Sequence, residues 1–493
     1  MHLMMLPVRL RTTWESKLTQ QPSSRRSITR SLGLGLALCL AAVGGARADA
    51  IDDYIAAQMS RQHIPALSLA VLKDGKPVKA KGYGVANLEL GTRASPETIY
   101  QIGSVSKQFI AAGIVLLSEE GKVGLDDSIR KYIGDAPETW QAITVRHVLT
   151  HTSGLERDAP GLQLKAQSDM VTIRAAYPTP LAFAPGEKWQ YSNLGYSVLA
   201  EIISRVAQIP WSQYLQERIF VPLGMSATRT TTAEELIPHR ANGYHWMDDN
   251  KYQNAPIVPG VRPSGAFLSS VLDLAKWDAV LYSDMMFSPP QRELMWTPVI
   301  LNDGSEKPYG FGWEVGKVGK HRQVKHGGTM LGFRSQLLRF PDDGLTIVVL
   351  TNATQASPEK IALGVAALYI PDLKLSQPKR NATKLSAEVL DGYTGRYQFL
   401  GDRVLTLARR EGNLTLSMPM ALPALGKEVA LLLQGVSMEI ALLTPENETR
   451  FFDEDEASTT YTFSTDTKGK VQLVIENAEG RVVQKASKVN PQN

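Results

Sequence analysis

Four S-x-x-K tetrads begin at Ser104, Ser128, Ser357 and Ser376, and each offers a hydroxyl and an amine at helical spacing. Three residues apart on a helix, the two side chains share a face. A serine hydroxyl is a weak nucleophile at neutral pH, and a lysine activates it once burial or a neighbouring cation lowers the amine's pKa from about 10.4. Surroundings separate the four. Ser128 follows Asp126-Asp127 and leads into Arg130-Lys131, a solvated charged face, while Ser376 lies in a polar stretch from Leu375 to Arg380. Ser357-Pro358 reads as an N-cap with proline at the first helical position. Only Ser104 opens a stretch, Gln101 to Gly121, that is apolar on nearly every side. Such a helix belongs in a core, its start favours a developing oxyanion, and Gly121 supplies the stop. On the helix alone, a structural and a catalytic serine stand level.

Two further pieces carry chemistry. Ala184 to Tyr196 reads as a loop placing Tyr191 and Asn193 on either side of Ser192, before an apolar helix from Tyr196 to Val206. A tyrosine relays a proton when cations lower its pKa, and an asparagine amide binds a carbonyl. Tyr252-Gln253-Asn254 repeats the pattern in what reads as a surface turn. Farther on, Gln323 to Phe333 contains His326-Gly327-Gly328-Thr329. The glycines let a backbone come close to a ligand, and His326 can carry or donate a proton. His147 and His151 stand four apart, but Val148 occupies the place of the glutamate in H-E-x-x-H, so no metal is expected.

These pieces need elements to hold them. The chain of 493 residues is 43% hydrophobic and 21% charged, which suits a soluble globular protein of more than one domain. Residues 1–50 differ: a polar lead with Arg25-Arg26, an apolar run from Leu32 to Gly45, then Ala46-Arg47-Ala48, the pattern of an export signal. Ser24-Arg25-Arg26-Ser27-Ile28 fits twin-arginine export, and a start codon placed too early lengthens the leader equally. Removal of residues 1–48 takes seven Lys/Arg and one Asp/Glu, leaves 46 against 48, and moves the net charge from +4 to −2. The basic balance therefore belongs to the leader and says nothing for a nucleic-acid partner. The one cysteine, Cys39, leaves with it. No later apolar run reaches the roughly 18 residues of a membrane span. A helix over 51–63, a strand Ala66–Leu72, a hairpin turn at Asp74-Gly75 and a return strand Val78–Ala86 are expected before the central helix. Ser335–Phe340 and Leu345–Thr351 read as strands, and Ser357–Ile370 as a helix.

Ser104-Val105-Ser106-Lys107, Tyr191-Ser192-Asn193 and His326-Gly327-Gly328, in that order on helix, loop and strand, resemble the three-motif site of the serine β-lactamase and penicillin-binding protein superfamily. The likeness is greatest to its class C β-lactamase, DD-peptidase and carboxylesterase branch. The resemblance implies an α/β (α+β) fold with an antiparallel sheet and a helical subdomain. It implies Ser104 as acyl-accepting nucleophile, Lys107 with Tyr191 as its base system, Asn193 as substrate-amide binder, and the backbone amides of Ser104 and Thr329 as oxyanion hole. Where lactamases carry Lys-Thr-Gly this chain has His326-Gly327-Gly328, which removes a permanent cation from the substrate-carboxylate side. Peptidase and esterase members tolerate histidine there.

The expected division is a signal peptide 1–50, a hydrolase domain 51–370, a linker 371–384 and a β-rich domain 385–493. Short alternating runs (Val404–Ala408, Leu414–Met418, Val429–Leu433, Thr460–Phe463, Val471–Ile475, Arg481–Lys485) broken by glycine turns predict a C-terminal antiparallel barrel similar to the lipocalin-like barrels of some peptidase members. The implied activity is hydrolysis of D-amino-acid peptides or small esters, in the periplasm or outside the cell, without cofactor or metal, on small-molecule or peptidoglycan-derived substrates. A β-lactamase and a silent cell-wall-binding protein on the same fold are the alternatives. An α/β-hydrolase is excluded because no G-x-S-x-G occurs, and a nucleotide enzyme because neither glycine-rich phosphate motif does.

Overall fold

The computed structural model describes residues 50–159, 169–230, 235–247, 251–255, 262–373, 380–399, 404–419, 437–453, 456–467, 469–476 and 482–489. The leader with Cys39, Val429–Leu433, Arg481 and residues 374–379 of the 371–384 stretch, Ser376 among them, lie outside these.

The strand Ala66–Lys73 is buried at every position but the last. It sits inside a seven-stranded antiparallel sheet whose spatial order is Glu314–Val318, His321–Met330, Phe333–Phe340, Leu345–Thr351, Ala66–Lys73, Lys76–Asn87 and Thr92–Arg93. Period-two alternation sends its side chains to two cores. Ala70 and Leu72 join the cluster around the central helix, while Leu67, Leu69 and Val71 meet Ile51 and Ile55 of the helix 50–61 and Ile361 and Val365 of the helix Pro358–Tyr369. Asp74 and Gly75 both take positive φ, 49° and 72°, the signature of the tight hairpin turn expected from the Asp-Gly pair.

The central helix, Lys107–Glu119, is buried from Lys107 to Leu117. Phe109 anchors it edge-on among Phe220, Phe267 and Trp277 at centroid distances of 5.1, 5.6 and 5.0 Å. Gly113 admits the neighbouring helices, since a Cβ there would lie 2.8 Å from Leu215 and 3.0 Å from Ile203. Tyr252-Gln253-Asn254 forms an exposed strand paired with Tyr244–Trp246, where a turn was expected. No helix among the described residues is long and apolar enough to cross a membrane.

The C-terminal part is a closed antiparallel barrel of eight strands, sealed by pairing of Gly395–Phe399 with Val482–Val489. Closure removes the exposed edges of an open sheet. Its interior holds Tyr397, Leu407, Leu414, Leu443, Phe451 and Leu473. Residues 50–493 form one compact unit. Lys360 reaches Asp453 of the barrel at 3.4 Å, and Arg410 of the barrel reaches His63 at 2.8 Å.

One ion pair joins the helix Val271–Val280 to the sheet. Asp278 and Arg339 are both fully buried, Nε to Oδ1 at 2.6 Å, with Thr346 donating to the same oxygen at 2.9 Å. The guanidinium also lies 4.7 Å from the ring centroids of Tyr282 and of Trp296. Asp278→Ala leaves that cation buried without its carboxylate and is expected to cost about 3–5 kcal/mol. Urea unfolding measures it, and a loss below about 1 kcal/mol would show the pair to be dispensable.

Candidate active site

The serine is presented by a turn of 3₁₀ helix, Gly103–Ser106, and the α-helix proper begins at Lys107. This differs from the expected helix start at Ser104: Gly103, packed against the Thr329 backbone, has φ +52°, a conformation only glycine takes readily. In a 3₁₀ turn residues i and i+3 eclipse. Lys107 Nζ accordingly lies 3.1 Å from Ser104 Oγ.

Lys107 is wholly buried. Its Nζ also lies 2.9 Å from Asn193 Oδ1 and 2.9 Å from the Ser264 carbonyl. Burial holds its pKa well below the ordinary lysine value, with Asp158 opposing the shift and Arg157 adding to it. A neutral amine fits these partners: it donates to Asn193 Oδ1 and to the Ser264 carbonyl, and its lone pair accepts the Ser104 O–H.

The second segment folds differently from the expected loop. Ser192 is the N-cap, its Oγ accepting from the Gly195 amide at 3.0 Å, so the helix runs Asn193–Ala207 and Asn193 is its first residue. The Asn193 amide is oriented from both ends, since Nδ2 donates to Asp158 Oδ1 at 3.0 Å while Oδ1 faces Lys107. Asn193 also lines the cavity. His151, which has φ 62° and ends the short helix Val145–Leu149, accepts the Ser192 amide on Nδ1 at 3.1 Å. His147 Nδ1 accepts the Thr144 amide at 3.2 Å, so both histidines of the rejected metal pair serve the backbone. Tyr191 stacks on His151 with centroids 4.3 Å apart. Burial raises its pKa despite a hydrogen bond with Ser104 and the nearby Arg157. Desolvation outweighs the nearby cation, and the phenol stays protonated.

On the third segment, the strand Glu314–Val318 covers His321–Lys325 and stops, so the outer edge from His326 onward has no strand partner among the described residues. His326 is buried, its Nδ1 lies 2.7 Å from the Gly327 carbonyl and its Nε2 2.9 Å from the Tyr309 hydroxyl. A carbonyl only accepts, so Nδ1 carries the proton and Nε2 accepts from Tyr309. Burial pushes its pKa down to about 3, with Lys107 adding to the shift. The ionisation near neutrality that histidine suggests by its ordinary value is therefore absent. Gly328 admits a neighbouring backbone: a Cβ on it would stand 1.9 Å from the Ile102 carbonyl, and one on Gly103 2.6 Å from the Thr329 amide. The turn bearing Ser104 and the strand bearing Thr329 thus meet backbone to backbone.

All eight anticipated residues come together around one cavity of about 970 Å³, which Ser104, Tyr191, Asn193, His326 and Gly327 to Thr329 line, with Lys107 immediately beneath. Sequence reading missed Asp158, the Ser264 carbonyl, Tyr309 and Arg334. Only Arg334 had a local signal, because the tight hairpin Met330–Phe333 fixes it opposite Thr329, whose hydroxyl it reaches at 2.6 Å.

Folding linkage follows from His326. Between about pH 6.5, where the unfolded side chain titrates, and about 3, where the folded one does, the unfolded state alone binds the proton. Stability must fall as pH drops through that window. His326→Gln is expected to reduce this slope by up to one proton, about 1.4 kcal/mol per pH unit. Urea midpoints at pH 4 to 7 check it, and an identical slope in the variant would mean that folded His326 is charged.

Residues 51–369 match the family described as Beta-lactamase. The chain is 30% identical over 342 residues to a penicillin-binding protein of Bacillus subtilis (strain 168), covering 64% of this chain and 75% of that one. It is 29% identical over 318 residues to protein flp of Staphylococcus aureus (strain MW2), covering 61% and spanning 62% of that protein's length. Among solved structures it is similar to an octameric penicillin-binding protein homologue from Pyrococcus abyssi, with TM-score 0.63 and 25% identity, over 90% of this chain and all of that one.

Proposed function

The chain belongs to the beta-lactamase family by its match over residues 51–369, and on that footing we propose that it is an exported serine hydrolase forming an acyl-enzyme on Ser104, with D-amino-acid peptides or small esters as substrates. The observation that carries the reading is the buried Lys107 amine, 3.1 Å from Ser104 Oγ and disfavoured as a cation by its burial.

Ser104 Oγ attacks the substrate carbonyl and passes its proton to Lys107 Nζ. The carbonyl electron pair moves onto oxygen, which the Ser104 and Thr329 amides receive; loss of one such donor typically costs about 10² to 10³ in rate. The close approach of Gly103 to the Thr329 amide supports that pairing. As the tetrahedral species collapses, the leaving group takes a proton from the Tyr191 hydroxyl, which Lys107 restores. Tyr191 is suited to this as a neutral acid, since burial keeps its phenol protonated. Water then attacks the ester by the reverse set of transfers, releasing acid and free Ser104. Asn193 holds the amine and offers its remaining N–H to the substrate.

Substrate choice rests on the third motif. A neutral His326 offers a substrate carboxylate less than a permanent cation would, which favours esters and D-amino-acid peptides or amides without a carboxylate at that place over β-lactams. A silent cell-wall-binding protein fits poorly with Ser104, Lys107 and Asn193 joined by hydrogen bonds of 2.9 to 3.1 Å. Residues 1–50 are read as the leader to the periplasm or exterior. The barrel, taken as a domain of its own from residue 385, supplies none of these groups and is read as support or substrate restriction.

Intact-mass spectrometry after exposure to a fluorophosphonate, a fluorescent penicillin and a D-Ala-D-Ala peptide identifies which leaves an adduct. Ser104→Ala is expected to abolish labelling and turnover while the protein stays folded. Alanine at Ser128, whose hydroxyl accepts the Arg130 amide outside the cavity, or at Ser357, the N-cap of Pro358–Tyr369 on the cavity wall, leaves both in place. Turnover surviving in Ser104→Ala would sink the assignment.

A further inference from the structure

Glu314 stands where the edge strand ends and the open edge of His326–Thr329 begins. It is the last residue of its strand paired across the sheet, opposite Lys325. It lines the same cavity as Ser104, Tyr191 and His326. Its side chain keeps 43% of its surface accessible. The nearest cation is Lys325, whose Nζ lies 3.9 Å away but is held more closely by Glu359. The carboxylate therefore shares one ammonium with a better-placed competitor. Burial raises its pKa, with Lys325 opposing and Glu359 adding. It is near enough to Tyr191 and Tyr309 to add to the upward shift of both phenols. Next to it, His326 is a neutral ring. Arg157, Arg262 and Lys360 also line the cavity, and Arg334 bonds to Thr329 at the other end of the edge.

We propose that Glu314 is a specificity residue that binds a protonated amine of the substrate, so that the site prefers acyl donors bearing an ammonium group on the side of the scissile bond toward Lys325 and disfavours a carboxylate there. The proposal rests on the acyl-enzyme reading above. An incoming ammonium adds to the hydrogen bonding of this carboxylate, and charge-assisted bonds of this kind are the strong ones. A substrate carboxylate at the same place meets like charge. The amine can come from the acyl part or from the leaving group, and the two are separable by substrate.

The test compares D-alanine p-nitroanilide with its N-acetyl form, and the acetate ester of 2-aminoethanol with that of ethylene glycol. Wild type and Glu314→Gln are assayed for kcat/KM on each pair. The ratio of amine to uncharged substrate is expected to fall about 10- to 100-fold in the variant for one pair, and the pair that responds locates the amine. Calorimetric binding of the same amine to Ser104→Ala and to Ser104→Ala/Glu314→Gln reads Glu314 without turnover, and a tenfold weakening supports the proposal. Equal ratios in both kinetic pairs together with equal affinities overturn it. Absence of turnover and of Ser104 labelling in the wild type would instead count against the acyl-enzyme reading, with the binding comparison still deciding Glu314.

Discussion

A primary amine sealed from water beside a serine hydroxyl is the constraint that the rest of the site answers to. Lys107 has no accessible surface, and an ammonium so placed without a dedicated counter-ion costs several kcal/mol. Asp158 is the carboxylate in the neighbourhood, yet it is engaged with the Asn193 amide and, at 3.8 Å, with Arg157. The environment therefore selects the neutral amine. Its two N–H bonds have fixed acceptors in Asn193 Oδ1 and the Ser264 carbonyl, so its lone pair has one direction left, toward Ser104.

That direction is useful only if the hydroxyl and the oxyanion donors hold still relative to each other, and here sterics take over from electrostatics. Gly103 and Gly328 let two backbones approach to distances at which a Cβ would collide with a carbonyl or an amide. The Ser335 hydroxyl adds a bond of 2.7 Å to the Ile102 carbonyl on the same seam. Gly327 is the looser member of the pair, since a Cβ there would meet only the end of the Gln336 side chain at 3.0 Å. Of the two glycines that drew attention in the sequence, Gly328 is the one the geometry requires.

What could be read in advance was what is local. The strand Ala66–Lys73, the Asp74-Gly75 turn and the apolar central helix follow from runs of residues whose period and turn chemistry agree. The barrel was legible from alternation and glycine turns, although the strands Gly395–Phe399, Ser437–Pro445 and Arg450–Asp453 were not anticipated, their patterns being short or interrupted by charge. The three motif pieces were legible because each is a short segment of distinctive residues, and their resemblance to a known family joined them. The residues that tune the site were not: Asp158 and Ser264 act across 35 and 157 positions of chain, and no periodicity marks them. The 3₁₀ entry to the helix was missed because positive φ at Gly103 is demanded by the strand packed against it rather than by its own neighbours.

The charge state of the interior is the least local property of all. Tyr191, Tyr196 and Tyr309 are held protonated by burial, and His151 and His326 are held neutral by it. Each histidine also meets a backbone group of one kind only, an amide for His151 Nδ1 and a carbonyl for His326 Nδ1, so each tautomer is fixed by the chain itself. Ser104 is the group that shares hydrogen bonds with both Lys107 and Tyr191. A lysine at position 326 would add a second cation close to Lys107 and lower its pKa by repulsion. With a neutral histidine in that place, the amine's basicity is set first by exclusion of water, and so by how closely Tyr191, Tyr196 and their aromatic neighbours pack over it.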